Sequence, residues 1–147
     1  MTTPTAPLVF IVDDDSSVRK SLARLVRAAG FDVETFASAR EFLTRPRHDG
    51  PSCLVLDVRM PDLSGLDLQE TLAIAGQRVS IVFITGFPDV RARVKAMKGG
   101  AIDFLSKPVN DKDLLDAIER AVTESRRAQH GQARIAEIQN RIPMMGG

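Results

Sequence analysis

The sequence predicts an α/β fold, a doubly wound parallel sheet with helices on both faces. Three observations carry this. Short β-branched apolar runs alternate with segments whose apolar residues recur at helical spacing. The runs are apolar at successive positions, as strands buried on both faces require. The chain has 147 residues, enough for one domain that needs no metal or disulfide to hold its core.

The first strand is read at Leu8–Val12. After three acids, Val18, Leu22, Leu25, Val26 and Ala29 share one helical face, and Gly30 stands where a C-terminal cap belongs. A weaker strand covers Phe31–Phe36. Ser38 and Glu41 have the spacing of a capping box ahead of Phe42 and Leu43. The third strand is Cys53–Val58, followed by a short helix through Leu66, Leu68, Leu72 and Ile74 that ends at Gly76. The fourth strand is Ser80–Thr85, and Val90, Val94 and Met97 form the apolar stripe of the next helix, ended by Gly99 and Gly100. The fifth strand is Ala101–Leu105. Asn110 or Asp111 can cap a last helix carrying Leu114, Leu115, Ile118, Ala121 and Val122. With right-handed crossovers, this alternation fits the flavodoxin-like (βα)5 sheet of order 2-1-3-4-5.

Residues 1–125 read as this domain, with its core at about 7–125. Residues 126–147 are polar, with Ile135, Ile138 and Ile142 at spacings of three and four. They read as a helical tail, or as a linker or coiled-coil helix toward a partner or an output domain. Gly131 weakens a single continuous helix there.

Composition excludes several classes. Lysine and arginine number 20 against 19 acids, so 20 − 19 gives a net charge of +1. That offers no basic surface for nucleic acid or membrane, and this segment holds no DNA-reading element. No apolar run approaches the roughly 20 residues that span a bilayer. The single cysteine, Cys53, forms no internal disulfide and suits a reducing cytoplasm. His48, His130 and Cys53 have no zinc-site spacing. No Ser/Thr/Gly-rich phosphate loop follows the first strand, which argues against a bound flavin nucleotide.

The chemistry lies at the strand ends. In an open α/β sheet, ligands bind beyond the carboxyl ends of the strands, at the switch point in strand order. There the sequence places Asp13, Asp14 and Asp15, then Asp57, then Thr85 and Gly86, then Lys107 and Pro108. Each alone has an ordinary explanation as a helix cap or a turn residue. Four strand ends delivering polar groups to one rim do not. Carboxylates gathered at one point repel unless a cation sits among them, and Mg2+ takes few carboxylates while bridging to phosphate oxygens. Asp57 can then attack phosphorus, Lys107 supplies a second positive charge, and Thr85 can bond a phosphoryl oxygen.

The motifs VDDD, LVLDVRMPDLSG, ITG and DFLSKP, in this order on these strand ends, resemble those of the receiver (CheY-like) domain of two-component response regulators. The likeness covers about residues 7–125. It implies a phosphoacceptor that takes a phosphoryl group from a sensor histidine kinase in a Mg2+-dependent reaction and switches a partner surface. The acceptor maps to Asp57. The metal ligands map to Asp14, Asp57 and the backbone carbonyl of Arg59, with Asp13 acting through water. Lys107 maps to the phosphate-binding lysine, Thr85 and Phe104 to the switch pair, and Pro108 to the position after a cis peptide bond. Asp15 reads as the cap of the first helix. Arg59 and Phe87 flank the acceptor at positions that tune dephosphorylation in this family. Such a domain assists its own phosphorylation and dephosphorylation without being a turnover enzyme.

VRKSLARLVRAAGF, RMPDLSGLDL, FITG and VKAMKGGAIDFLSKP are most similar to receivers of the FixJ group. That likeness implies the N-terminal part of a transcriptional regulator, with a possible homodimer on phosphorylation. A natural single-domain receiver signalling by protein–protein contact is the alternative. The rival from another class is a haloacid-dehalogenase-type phosphatase with Asp13 as nucleophile, Asp15 completing a D-x-D pair, and Asp111 and Asp113 as the distal acids. It leaves Asp57 without a role.

Overall fold

A computed structural model describes the backbone of residues 6–141 and the side chains of residues 6–129. The elements run β1 (Leu8–Val12), α1 (Ser16–Ala28), β2 (Asp32–Phe36), α2 (Ala39–Leu43), β3 (Ser52–Asp57), α3 (Gly65–Ile74), β4 (Ile81–Thr85), α4 (Val90–Lys98), β5 (Asp103–Ser106) and α5 (Asp111–Arg141). The five strands form one parallel sheet of order β2-β1-β3-β4-β5. This is the sheet the sequence predicts.

Alternation along each strand divides the core into two layers. Val9, Ile11, Val55, Val82 and Ile84 face one side and pack under Leu22 and Val26 of α1 and Leu114, Ile118 and Val122 of α5. Phe10, Leu54, Leu56 and Phe83 face the other and pack under Phe42 of α2, Leu68 and Leu72 of α3 and Ala96 of α4. Each such buried side chain contributes about 1.5–3 kcal/mol, so both layers matter to stability. β2 lies at the sheet edge with none of its residues buried, which explains its faint apolar pattern.

The helix starts follow local chemistry. Asp15 caps α1, its carboxylate accepting from the backbone N–H of Ser17 and Val18. Ser38 caps α2 through the Glu41 N–H, while Glu41 reaches back to Ala37 N–H rather than to Ser38. Asn110 is the cap of α5, accepting from Asp113 N–H at 3.1 Å, and Asp111 opens the first turn. Gly30 and Gly76 adopt the positive φ that the turns after α1 and α3 demand.

Two readings are corrected. The stripe Val90, Val94 and Met97 is not core: these side chains are 78%, 46% and 42% exposed. α4 instead turns Ala96 inward, with Ala92 half-buried, and the small residues let the helix lie close to its neighbours. A buried amide pins it there, Gln69 Nε2 donating to the Ala96 carbonyl at 3.0 Å. Gly131 does not interrupt α5, which continues to Arg141 and so crosses residue 125 without a break. The long preceding helix is already nucleated, and propagation through one glycine costs only about 1 kcal/mol. The first turns beyond Val122 stay fastened to the domain. Ser125 Oγ accepts from Ser52 N–H at 2.9 Å, and Gln129 Nε2 donates to the Asp49 carbonyl at 2.8 Å. Ile142 lies outside the described residues.

Candidate functional site

The site forms where β1, β3, β4 and β5 end together. Asp13 is the first residue past β1, and its N–H donates to the Phe36 carbonyl of β2. Its carboxylate is fully buried, one oxygen accepting from Asp15 N–H at 2.9 Å and the other from Lys107 Nζ at 2.7 Å. Arg19 also secures it, reaching back from α1 to the Asp13 carbonyl at 2.7 Å.

Asp57 ends β3 and is only 4% exposed. Its Oδ1 accepts from Arg59 N–H at 3.3 Å, and its Oδ2 lies 3.5 Å from Lys107 Nζ. Burial pushes the Asp57 carboxyl up to about 6, with the nearby Asp13 charge adding to the shift, while Lys107 and the Arg59 N–H oppose it. For Lys107, burial disfavours the ammonium, but the bond to Asp13 and the field of Asp57 outweigh it and hold its pKa above the ordinary lysine value. Lys107 is aimed by its backbone, whose N–H donates to the Thr85 carbonyl at 2.7 Å, and the Lys107–Pro108 peptide is cis.

Asp13, Asp14 and Asp57 each offer a carboxylate oxygen within 4.8 Å of the others. Asp14 is exposed and the other two are buried, so the cluster opens to solvent on one side only. Three hard oxygen donors with one open side fit Mg2+, which keeps part of its water shell, and the upward shift at Asp57 marks a position that a nearby cation would stabilise as carboxylate. Asp15, spent on its helix cap, and Asp111 and Asp113, in the first turn of α5, lie outside this cluster.

Thr85 ends β4 and is fully buried. Its hydroxyl accepts from Phe87 N–H at 3.1 Å and donates to the Phe87 carbonyl at 3.3 Å, so it faces the loop after β4 rather than the acids. Phe104 on β5 is 6% exposed and packs against Phe83 with ring centroids 6.2 Å apart.

Three tertiary contacts escape sequence reasoning. Gly65, the first residue of α3, sits so close under β3 that a Cβ there would lie 2.3 Å from the Asp57 carbonyl oxygen. Its place in LSG is a signal, but the contact is tertiary. Gln69 fixes α4 from α3, and Gly99 leaves room for its amide. The third is a contact between Arg59 and Phe87, with the guanidinium 5.0 Å from the ring centroid.

The chain is similar to known proteins. Residues 9–119 match the family model of the response regulator receiver domain. The chain is 48% identical to nodulation protein W of Bradyrhizobium diazoefficiens over 136 residues, covering 92% of this chain and 60% of that protein. It is 44% identical over 113 residues to transcriptional regulatory protein FixJ of Rhizobium meliloti, covering 77% of this chain and 55% of the relative. The solved structure of response regulator StyR superposes with a TM-score of 0.81 at 49% identity, over 92% of this chain and 67% of that one. The chain thus spans somewhat over half the length of these two curated relatives.

Proposed function

Because the chain belongs to the response regulator receiver domains, phosphoacceptor modules of two-component signalling, we propose that its acceptor is Asp57 and its donor a sensor histidine kinase. The convergence of Asp57 with Asp13, Asp14 and Lys107 at one strand-end rim carries this reading. An oxygen of Asp57 forms the new bond to phosphorus, the bond to the donor's leaving atom breaks, and the leaving group keeps that electron pair. Lys107, already 3.5 Å from Asp57, offsets charge on the phosphoryl oxygens. Asp13 holds Lys107 in place, and Arg19 and Asp15 N–H hold Asp13. Asp14, Asp57 and the Arg59 carbonyl would ligate Mg2+, with Asp13 acting through water. When bound, the ion supplies positive charge to the acids and to the transferring group.

The rival with Asp13 as nucleophile is disfavoured. Both oxygens of Asp13 are engaged, and Asp15 is committed to its cap. The domain is read as a stoichiometric signalling module rather than a turnover enzyme, working in the cytoplasm. Among the described residues, no helix is long and apolar enough to cross a membrane.

The output follows from Thr85 and Phe104. Recruiting the Thr85 hydroxyl to a phosphoryl group repacks its surroundings. Phe104 has no hydroxyl, so its part in the switch is packing alone, within the layer that supports α4. The readout surface is α4, β5 and α5. It exposes Arg91, Arg93, Lys95 and Lys98 beside Val90, Val94 and Met97, and these cations suit Asp113, Asp116 and Glu119 of a second subunit. The receiver segment, residues 1–125, is read as the N-terminal part of a transcriptional regulator, with residues 126–147 leading toward its output domain.

Beryllofluoride binding followed by fluorine NMR tests the site. Binding that requires Mg2+ and is abolished by Asp57→Asn supports it; binding that survives the substitution refutes it. Sedimentation of the same samples tests the dimer, and a monomer in both states counts against it.

A further inference from the structure

We propose that the cleft between α1 and the edge strand β2 binds a soluble oligophosphate anion, the phosphate chain of a nucleoside polyphosphate or its inorganic counterpart. Arg19, Lys20, Ala23, Arg24 and Arg27 of α1 line the cleft with Thr35 of β2, and its volume is about 510 Å³. That lies within the roughly 300–1,000 Å³ of small-molecule sites. The cleft is dominated by cations, and Thr35 adds a hydroxyl. The net charge of +1 hides this concentration, because no acid occurs between Asp15 and Asp32. On β2, Val33 packs in the layer under α1 and Phe36 in the layer under α2. Alternation therefore sets Thr35 on the α1 side and Asp32 and Glu34 on the other.

An ordinary solvated helix face mixes its charges. α5 does so, pairing Lys112 with Asp116 and Arg127 with Glu124. Among the described residues, none of the α1 cations has a carboxylate within ion-pair distance. Lys20, Arg24 and Arg27 follow one another at spacings of four and three, where like charges destabilise a helix. A bound anion removes that repulsion. Two of the arginines are already ordered. Arg19 donates to the Asp13 carbonyl at 2.7 Å, and Arg27 donates to the Val33 carbonyl at 3.4 Å. A guanidinium carries five N–H donors in a rigid fork, so each keeps donors for a phosphate and loses little freedom on binding it. From Arg19 to Arg27 the helix rises about 12 Å. An extended acidic peptide sets same-face carboxylates about 7 Å apart, so it offers about two over this length. A chain of linked phosphates carries charge at every unit and matches the cations better.

The full chain is titrated calorimetrically with sodium tripolyphosphate and with ATP, in chelator so that no metal bridges these anions to the acids at the strand ends. One-to-one binding of both probes is expected, with ATP the tighter if a nucleoside is recognised as well. Lys20→Gln combined with Arg24→Gln, both exposed, should weaken binding about tenfold or more. These changes relieve repulsion on α1, so the unliganded double variant should unfold at no lower urea concentration than the wild type. Arg47→Gln combined with Arg78→Gln removes the same charge from other exposed positions and should change affinity less than about twofold. Amide NMR shifts on binding should move along residues 19–27 and at Thr35. Absence of binding, an equal loss in the two double variants, or shifts confined to the strand-end rim or to α4 overturns the proposal. A hexaglutamate peptide that binds as tightly as tripolyphosphate overturns it as well.

Discussion

Replacing Asp57 with asparagine should stabilise the fold, and the structure says by how much and at which pH. Asp57 is pushed from an ordinary 3.8 up to about 6, first by burial and then by the charge of Asp13. The unfolded chain releases this proton near the ordinary value, and the folded chain holds it until about pH 6. Between those values the folded state binds more protons, so its stability falls as pH rises. The contribution is fully present below about pH 3.8 and gone above about pH 6. Two pKa units at 1.36 kcal/mol each make ionised Asp57 a burden of about 3 kcal/mol near neutrality. Asparagine keeps the shape without the charge, and Lys107 keeps its 2.7 Å bond to Asp13. The rise to about 6 is already net of the attraction to Lys107, and an amide does not match the neutral acid in every hydrogen bond, so the expected stabilisation at pH 7.5 is about 1–3 kcal/mol. The assay is urea unfolding of both proteins in chelator from pH 4 to pH 8. Titrating groups away from the site cancel in the difference, which should be small at pH 4 and complete by about pH 7. Added Mg2+ should stabilise the wild type more than the variant and narrow the gap. An asparagine variant that is less stable at pH 7.5, or a gap that ignores pH, refutes the reasoning.

Other outcomes follow from single contacts. Gly65→Ala drives a Cβ against the Asp57 carbonyl, where backbone must yield; a loss of about 1–3 kcal/mol in urea and weaker Mg2+ binding are expected, and wild-type values for both would contradict the close approach. Asp15→Ala removes the cap of α1 and should cost about 1 kcal/mol while leaving Mg2+ affinity unchanged, which separates capping from ligation. Gln69→Leu strips the Ala96 carbonyl of its buried donor and should cost about 1–3 kcal/mol, with faster amide exchange confined to α4; uniform exchange throughout the chain would argue against a local pin.

How much of this the sequence discloses depends on how local the physics is. β1 is read to its exact bounds because a short apolar run is bounded by Pro7 on one side and by three acids on the other. The strand-end acids are legible for the same reason, since an acid closing a buried strand can only lie at the rim. Asp15 is legible as a cap because capping is a contact within three residues. The α4 stripe misleads because periodicity shows that a helix has two faces without showing which one meets the sheet. Ala92 and Ala96 take the inner face by being small, leaving Val90, Val94 and Met97 on the exposed one. Gly65, Gln69 and the Arg59–Phe87 contact depend on elements that meet only after folding, and no spacing rule encodes them. The inward turn of the Thr85 hydroxyl toward its own loop is hidden likewise, although the residue itself stands out at its strand end.

The central claim is that Asp57 receives the phosphoryl group, and intact mass after incubation with Mg2+ and a small phosphoryl donor tests it most directly. The account predicts a single phosphoryl adduct on the wild-type chain that requires Mg2+ and is missing from Asp57→Asn. An adduct that persists in that variant and maps to Asp13 would contradict it.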